Sequence, residues 1–280
     1  MTALQLSLAQ WSLHRQFTDG HLDPNDFASI AINTYGINAV EYVNQFYADS
    51  GEDEKFWITM KERADSVGVN SLLIMVDDEG DLGIANDLER KESVENHYKW
   101  VNAAKMLGCH SIRVNAFGES DKTLFRSAII DSMGQLSDYA AKENINIIIE
   151  NHGLYSSDGK LITEIIEQVN KPNFGTLPDF GNWCLSAKWG STQGDCSEAY
   201  DRYQGVSELL PFAKGVSAKS YDFNEKGEDT KIDYFKMLEI VKKSGYRGHI
   251  GIEYEGEVLS EHEGILATKV LIEKAWKSLE

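Results

Sequence analysis

Long apolar runs are missing from this 280-residue chain: nothing approaches the roughly 20 consecutive apolar residues needed to cross a bilayer. The opening Met1-Thr2-Ala3-Leu4-Gln5 has no basic segment, and no apolar run ending in a small-residue cleavage site follows it. A secretory leader is therefore not expected. Cysteine is scarce. Cys109, Cys184 and Cys196 are odd in number, widely spaced and free of any C-x-x-C, which supports neither a disulfide framework nor a thiolate metal knot. Cys109 and Cys184 read as ordinary buried or loop thiols. With no N-x-[ST] sequon either, the expected compartment is a reducing cytoplasm. Basic charge is also in short supply, with 27 Lys and Arg against 45 Asp and Glu, a formal charge of −18. Binding to phosphate backbones draws on lysine and arginine, so this balance excludes nucleic acid, and anionic membranes by the same argument. A neutral small molecule or a metal cation suits it better. No G-x-G-x-x-G, Walker-type G-x-x-x-x-G-K-[ST] or G-x-S-x-G is present, which removes the common phosphate cradles and the serine elbow.

What the chain has instead is alternation. Short β-branched runs at Leu4–Trp11, Ala39–Val43, Ser71–Val76, Ser111–Ala116, Asn146–Asn151, Gly175–Phe180, Gly215–Ser220 and Gly248–Tyr254 read as eight strands. Helical patterns fill the gaps near 24–35, 53–67, 91–107, 122–143, 160–170, 197–210, 233–244 and 261–278. In the third, Val94, Tyr98, Val101, Ala104 and Leu107 share one face. Gly36, Gly68, Gly108 and Gly245 stand between helix and strand, where a residue free to take positive φ closes a helix. Asp23-Pro24 reads as a cap and first turn, and Ser260 with Glu263 as a capping box. Eight β–α units in one chain without a linker predict a single α/β domain over residues 1–280, a closed (β/α)₈ TIM barrel, whose usual size is about 250 residues. Turns into the strands are tight, whereas segments leaving them are long and polar: 77–87, 152–159, 181–196 and 221–231. In such barrels the chemistry lies at the strands' carboxyl ends.

Three of those ends carry an acid after an apolar run: Ile149-Glu150, Leu177-Pro178-Asp179 and Ile252-Glu253. Carboxylates there are costly to desolvate alone, and three converging on the barrel axis repel one another. A divalent cation is the simplest neutraliser, and oxygen ligands suit Mg²⁺, Mn²⁺ or Co²⁺, with Zn²⁺ left open. Other polar groups gather at the same end. Arg113 with Asn115, and Ser217 with Lys219, are in phase at period two. Glu41 ends strand two, His14 follows strand one after Trp11, and His152 can share the face of Glu150. A lysine among carboxylates, such as Lys219, fixes a substrate oxygen or holds a lowered pKa. His97, His110, His249 and His262 lie in helices or at the far strand ends, and Tyr98 and Trp100 read as core.

These residues resemble a known family. Leu6-Ser7-Leu8-Ala9-Gln10-Trp11-Ser12, Val40-Glu41-Tyr42, Glu150-Asn151-His152-Gly153, Leu177-Pro178-Asp179-Phe180-Gly181-Asn182 and Gly251-Ile252-Glu253-Tyr254 are similar to the sugar phosphate isomerase/epimerase proteins, the xylose isomerase-like TIM barrels. The resemblance implies a metal held by Glu150, Asp179 and Glu253, with the two glutamates also acting as an acid/base pair on a sugar or sugar-like hydroxy-ketone. His14, Glu41, Asn115, His152 and Asn182 are the substrate-binding candidates, and Lys219 joins the two glutamates as a third catalytic candidate. The chain departs from the pattern at two positions. Ser217 stands where a histidine ligand usually ends strand seven, and Asn182 where several epimerases have a substrate-binding histidine. Water, His152, a carbonyl or the charge of Lys219 is left to make good the first change. The superfamily's DNA-repair branch does not match, for want of histidines and of basic charge. Lyases or hydratases of keto-sugars share the proton abstraction and are the alternative reading, and a non-catalytic sugar-binding barrel is the third. A homo-oligomer is compatible with the sequence.

Overall fold

A computed structural model describes residues 4–279 of the chain, so the first three residues of the segment read for a leader lie outside the described residues. Among the described residues eight strands form: β1 (Leu6–Ala9), β2 (Ala39–Val43), β3 (Asn70–Val76), β4 (Ser111–Val114), β5 (Asn146–Glu150), β6 (Phe174–Leu177), β7 (Val216–Ser220) and β8 (Ile250–Tyr254). Every ladder is parallel, in the order β6-β5-β4-β3-β2-β1-β8-β7. The ring closes between β6 and β7 through single bridges, Thr176 with Ala213 and Asp179 with Ser217. That seam falls on one of the acids singled out above.

Among the described residues ten α-helices accompany the strands: α1 (His14–Thr18), α2 (Phe27–Tyr35), α3 (Glu54–Ser66), α4 (Asp87–Asn96), α5 (Tyr98–Leu107), α6 (Lys122–Lys142), α7 (Gly159–Val169), α8 (Arg202–Leu209), α9 (Tyr234–Ser244) and α10 (Glu261–Lys277). The glycine stops hold: Gly36, Gly68, Gly108 and Gly245 all have φ between 66° and 84°. The Ser260–Glu263 capping box forms, and Asp23 accepts from Asn25 N. The single helix expected over 91–107 is two, broken at His97. The His97 ring takes the Ser93 carbonyl (Nδ1 to O, 2.7 Å), so its own amide turns to Val94 and the i−4 ladder is interrupted. The expected helix 197–210 shortens to α8 because Asp201, whose side chain accepts from Gln204 N, caps it later.

Strand alternation sorts the side chains. Val40, Tyr42, Ile112, Val114, Ile147, Ile149, Ala218, Ile250 and Ile252 pack outward against the helices. Inside the barrel only Ala9, Val43, Leu73, Met75, Ile148 and Leu177 form an apolar plug. The rest of the interior is polar, and it opens at the carboxyl ends.

The cysteine reading is corrected. Cys184 and Cys196 form a disulfide across a 12-residue separation, and only Cys109 stays free, buried in the core. The loop after β6 folds back on itself, with Cys184 bridging Ala199, and this return brings the two sulfurs together. The cysteine argument for a reducing compartment thereby loses its ground. Among the described residues no helix is long and apolar enough to cross a membrane.

Candidate active site

Glu150 ends β5, Asp179 follows β6 and Glu253 is the penultimate residue of β8, and the three meet at the carboxyl end of the barrel. One ligand oxygen from each lies within 4.8 Å of the others, and all three side chains are buried. Asp179 is fixed by its surroundings. Its Oδ1 accepts from the Gly181 and Asn182 amides at 2.8 and 2.7 Å, while Asn151 holds its backbone through a 2.7 Å bond to the Asp179 amide. The seam residue Ser217 lies 2.6 Å from Asp179 Oδ2 and 2.8 Å from Glu253 Oε2. A hydroxyl has one proton, so it can donate to only one of them. Burial, then Glu253, pushes Asp179 up to about 6 against the pull of Lys219, and burial pushes Glu150 well above the usual carboxylate range. Lys219 Nζ is 3.4 Å from Glu253 Oε1 and 3.1 Å from Glu255 Oε1. Burial lowers its pKa, but Glu253, Glu255 and Asp179 outweigh that and hold it well above its ordinary value. That direction runs against the lowered-pKa alternative for Lys219.

A second network faces the first from β3, β4 and the loop after β5. Arg113 Nη1 donates to Asp77 Oδ1 at 2.5 Å and to Asn115 Oδ1 at 3.2 Å. Asn115 Nδ2 donates to the same Asp77 oxygen at 2.6 Å, which fixes the amide so that its oxygen accepts from His152 Nδ1 at 2.7 Å. Burial, then Arg113 and Lys219, holds His152 well below its usual value, so the imidazole is neutral with Nε2 unprotonated. Arg113 Nε approaches Glu150 Oε2 at 2.8 Å, out of line for a hydrogen bond, so that contact is Coulombic.

Above both networks is a cavity of about 300 Å³, walled by Trp11, Arg113, His152, Trp189, Glu253 and Glu255. Not every candidate reaches it. His14 stacks behind Trp11 (4.7 Å, 10° between planes) with Nδ1 on the Trp11 carbonyl. Glu41 is mid-strand, not at a strand end. It points into the barrel, takes a 2.6 Å bond from Ser7 and fills the space left by Gly251, whose missing Cβ would fall 2.6 Å from Glu41 Oε1. Asn182 donates to Glu150 at 3.2 Å, and its Oδ1 is buried without a partner. Glu150, Asp179, Asn182, Ser217 and Lys219 do not line the cavity; they form a buried floor that reaches it through Glu253, and Asn115 braces the wall through His152.

Sequence reasoning passed over Asp77, which opens a polar loop, and Trp189, which lies in the loop after β6. Trp189 has φ +72° and packs on His152 and Phe117 at 5.1 and 5.3 Å. Its loop presses so closely on Gly153 that a Cβ there would fall 2.3 Å from the Ala187 carbonyl. An aromatic beside glycine in a long loop at the catalytic end was the available signal.

The residues fit a divalent cation. A hard ion with oxygen bonds of 2.0–2.6 Å spans about 4–5 Å between opposite ligands, which matches the spread of the three carboxylates. The lone Ser217 proton between two acids and the unpartnered Asn182 oxygen mark a centre short of positive charge and rich in donors.

An eight-stranded parallel barrel with a carboxylate cluster at its mouth defines the class. Within it, a family model described as xylose isomerase-like TIM barrel matches residues 30–274, and the chain belongs to that family. No curated protein matches the sequence. Similar solved structures include a D-tagatose 3-epimerase-like protein (TM-score 0.73, 16% identity, 99% of this chain and 100% of that one) and an IolI protein with a binding zinc atom (0.71, 15%, 98% and 99%). A D-psicose 3-epimerase with D-tagatose from Clostridium cellulolyticum H10 is also similar (0.67, 12%, 99% and 97%). At these identities the likeness is one of fold.

Proposed function

We propose that the chain is a divalent-metal-dependent isomerase or epimerase of a sugar or sugar-like hydroxy-ketone. The observation that carries this reading is the meeting of Glu150, Asp179 and Glu253 beneath an aromatic-walled cavity. Glu150, Asp179 and Glu253 would hold the ion, with Ser217 or Asn182 adding a neutral oxygen. An all-oxygen set favours Mg²⁺ or Mn²⁺ over Zn²⁺. The ion would supply a Lewis acid for the substrate carbonyl and charge for the enediolate.

The rest is the work of the chain's own groups. Glu253 borders the cavity and is placed to take a proton from the carbon next to the carbonyl. Glu150, its neighbour in the cluster, would return one from the other face. Trp11 and Trp189 offer apolar surface to the sugar's C–H face, while Arg113 and the free Nε2 of His152 meet hydroxyls. Lys219, tied to two carboxylates, keeps charge balance and does not act as a base. Both permanent cations of the site are already paired, which favours an unphosphorylated sugar.

The test is exchange in D₂O. With Mn²⁺ and a panel of free ketoses, NMR should show deuterium entering at one substrate carbon. Chelation should stop it, and Glu253→Gln should slow it about 10²–10⁴-fold. No exchange with any ketose would sink the reading. A product lighter by water or a leaving group would replace it with elimination, the reading that the altered end of β7 favours.

A further inference from the structure

β7 points two side chains at the carboxylate cluster, and their chemistry differs. Ser217 brings a neutral oxygen. Lys219 brings a permanent positive charge into a place that, on the reading above, a metal must share. Its side chain is 1% exposed, so the ammonium cannot swing out to water, and it has two carboxylates to choose between. Glu253, at 3.4 Å, belongs to the cluster. Glu255, at 3.1 Å, does not: it borders the cavity and is partly open to solvent. Arg113 is already committed to Asp77 and Glu150, so Lys219 is the cation that balances the Asp179–Glu253 side.

We propose that Lys219 is a resident counter-ion that competes with the metal for Glu253, and that Glu255 takes over its ammonium when the metal binds. The inference rests on the metal-site reading. Two like charges within one desolvated pocket repel strongly, so Glu253 cannot serve both fully. Glu255 acts as the second mooring that lets Lys219 withdraw without leaving the protein interior. Glu255 is thereby a positioning residue for the metal, through Lys219, and not a ligand. The chain keeps its floor intact without an ion and binds one with moderated affinity.

A double-mutant cycle read as Mn²⁺ affinity, by calorimetry or the electron paramagnetic resonance of free Mn²⁺, tests this on the full chain. Lys219→Met should tighten binding about tenfold or more, and Glu255→Gln should weaken it by a similar factor. In the Lys219→Met background, Glu255→Gln should change affinity by no more than about twofold. Additive effects of the two substitutions would overturn the proposal, because they would make Glu255 a distant charge with no need of Lys219. Should Lys219→Met fail to fold, an unchanged Mn²⁺ affinity in Glu255→Gln overturns it alone. If neither the native chain nor Lys219→Met binds Mn²⁺, the metal-site reading falls as well. Binding that ignores both substitutions sinks only the role given to Lys219.

Discussion

Two polar networks share the mouth of this barrel, and they are balanced differently. On the β3–β4 side, Asp77, Arg113, Asn115 and His152 form a closed set: one anion, one cation, an amide fixed by both, and a neutral imidazole. Burial would raise Asp77, yet Arg113, helped by the Asn115 amide, holds it below its ordinary range. On the β6–β8 side, Asp179, Glu253 and Glu255 share one lysine and one serine proton. Glu150 stands between, leaning on Arg113 and on Asn182. The closed set orients groups against a ligand. The acid-rich set is where a further positive charge is wanted, so binding and chemistry divide between the two sides of one pocket.

The largest test of that division is to open the closed set. Arg113→Met leaves Asp77 and Glu150 buried without their cation. Loss of one partner of such a pair costs about 3–5 kcal/mol, read as a lower urea midpoint at an unchanged slope. A loss under about 1 kcal/mol would mean that the set is not closed as described.

Glu41 gives the next test, from beneath the acid-rich side. Burial, opposed by Ser7 and aided by Glu253, raises it from 4.5 to about 7, and its Oε2 has no partner. The folded chain therefore binds this proton more tightly than the unfolded chain. That contribution is complete below pH 4.5 and is lost as pH climbs through about 7. Glu41→Gln, which keeps the shape without the charge, should leave stability unchanged near pH 4 and raise it by about 3 kcal/mol at pH 8.5. Thermal melts at the two pH values check it. Equal effects at both would show that Glu41 does not titrate in this window.

Much of this was legible in the chain because its signals are local. Buried parallel strands are unbroken apolar runs, and Glu150, Asp179 and Glu253 stand out by ending them. Glycines in the left-handed region mark the helix ends without reference to anything distant. What was not legible depends on closure. Asp77 and Arg113 pair only because β3 lies beside β4, and Glu41 turns from a rim acid into an interior one because Gly251 leaves it room. The Cys184–Cys196 bond depends on the path of one loop, which spacing alone does not set. The break at His97 comes from a side chain taking a backbone acceptor, which an apolar stripe running through the break conceals.

The smallest effect should come from the loop that touches both networks. Trp189 packs on His152 on one side, while Ser191 donates to the Tyr221 hydroxyl at 3.2 Å on the other. The disulfide clips this segment at its base, and closing a short loop of that kind constrains the unfolded chain by about 2–3 kcal/mol. Replacing both Cys184 and Cys196 by serine should lower the melting temperature by roughly 5 °C and redden the tryptophan emission as Trp189 loosens. Mn²⁺ affinity should stay the same, because Asp179, which follows β6, is pinned to Ser217 of β7 and to Asn151 ahead of the clipped segment. A matching fall in metal binding would show that the strap, and not the strands, holds the carboxylates in place, and the division between the two sides would not stand.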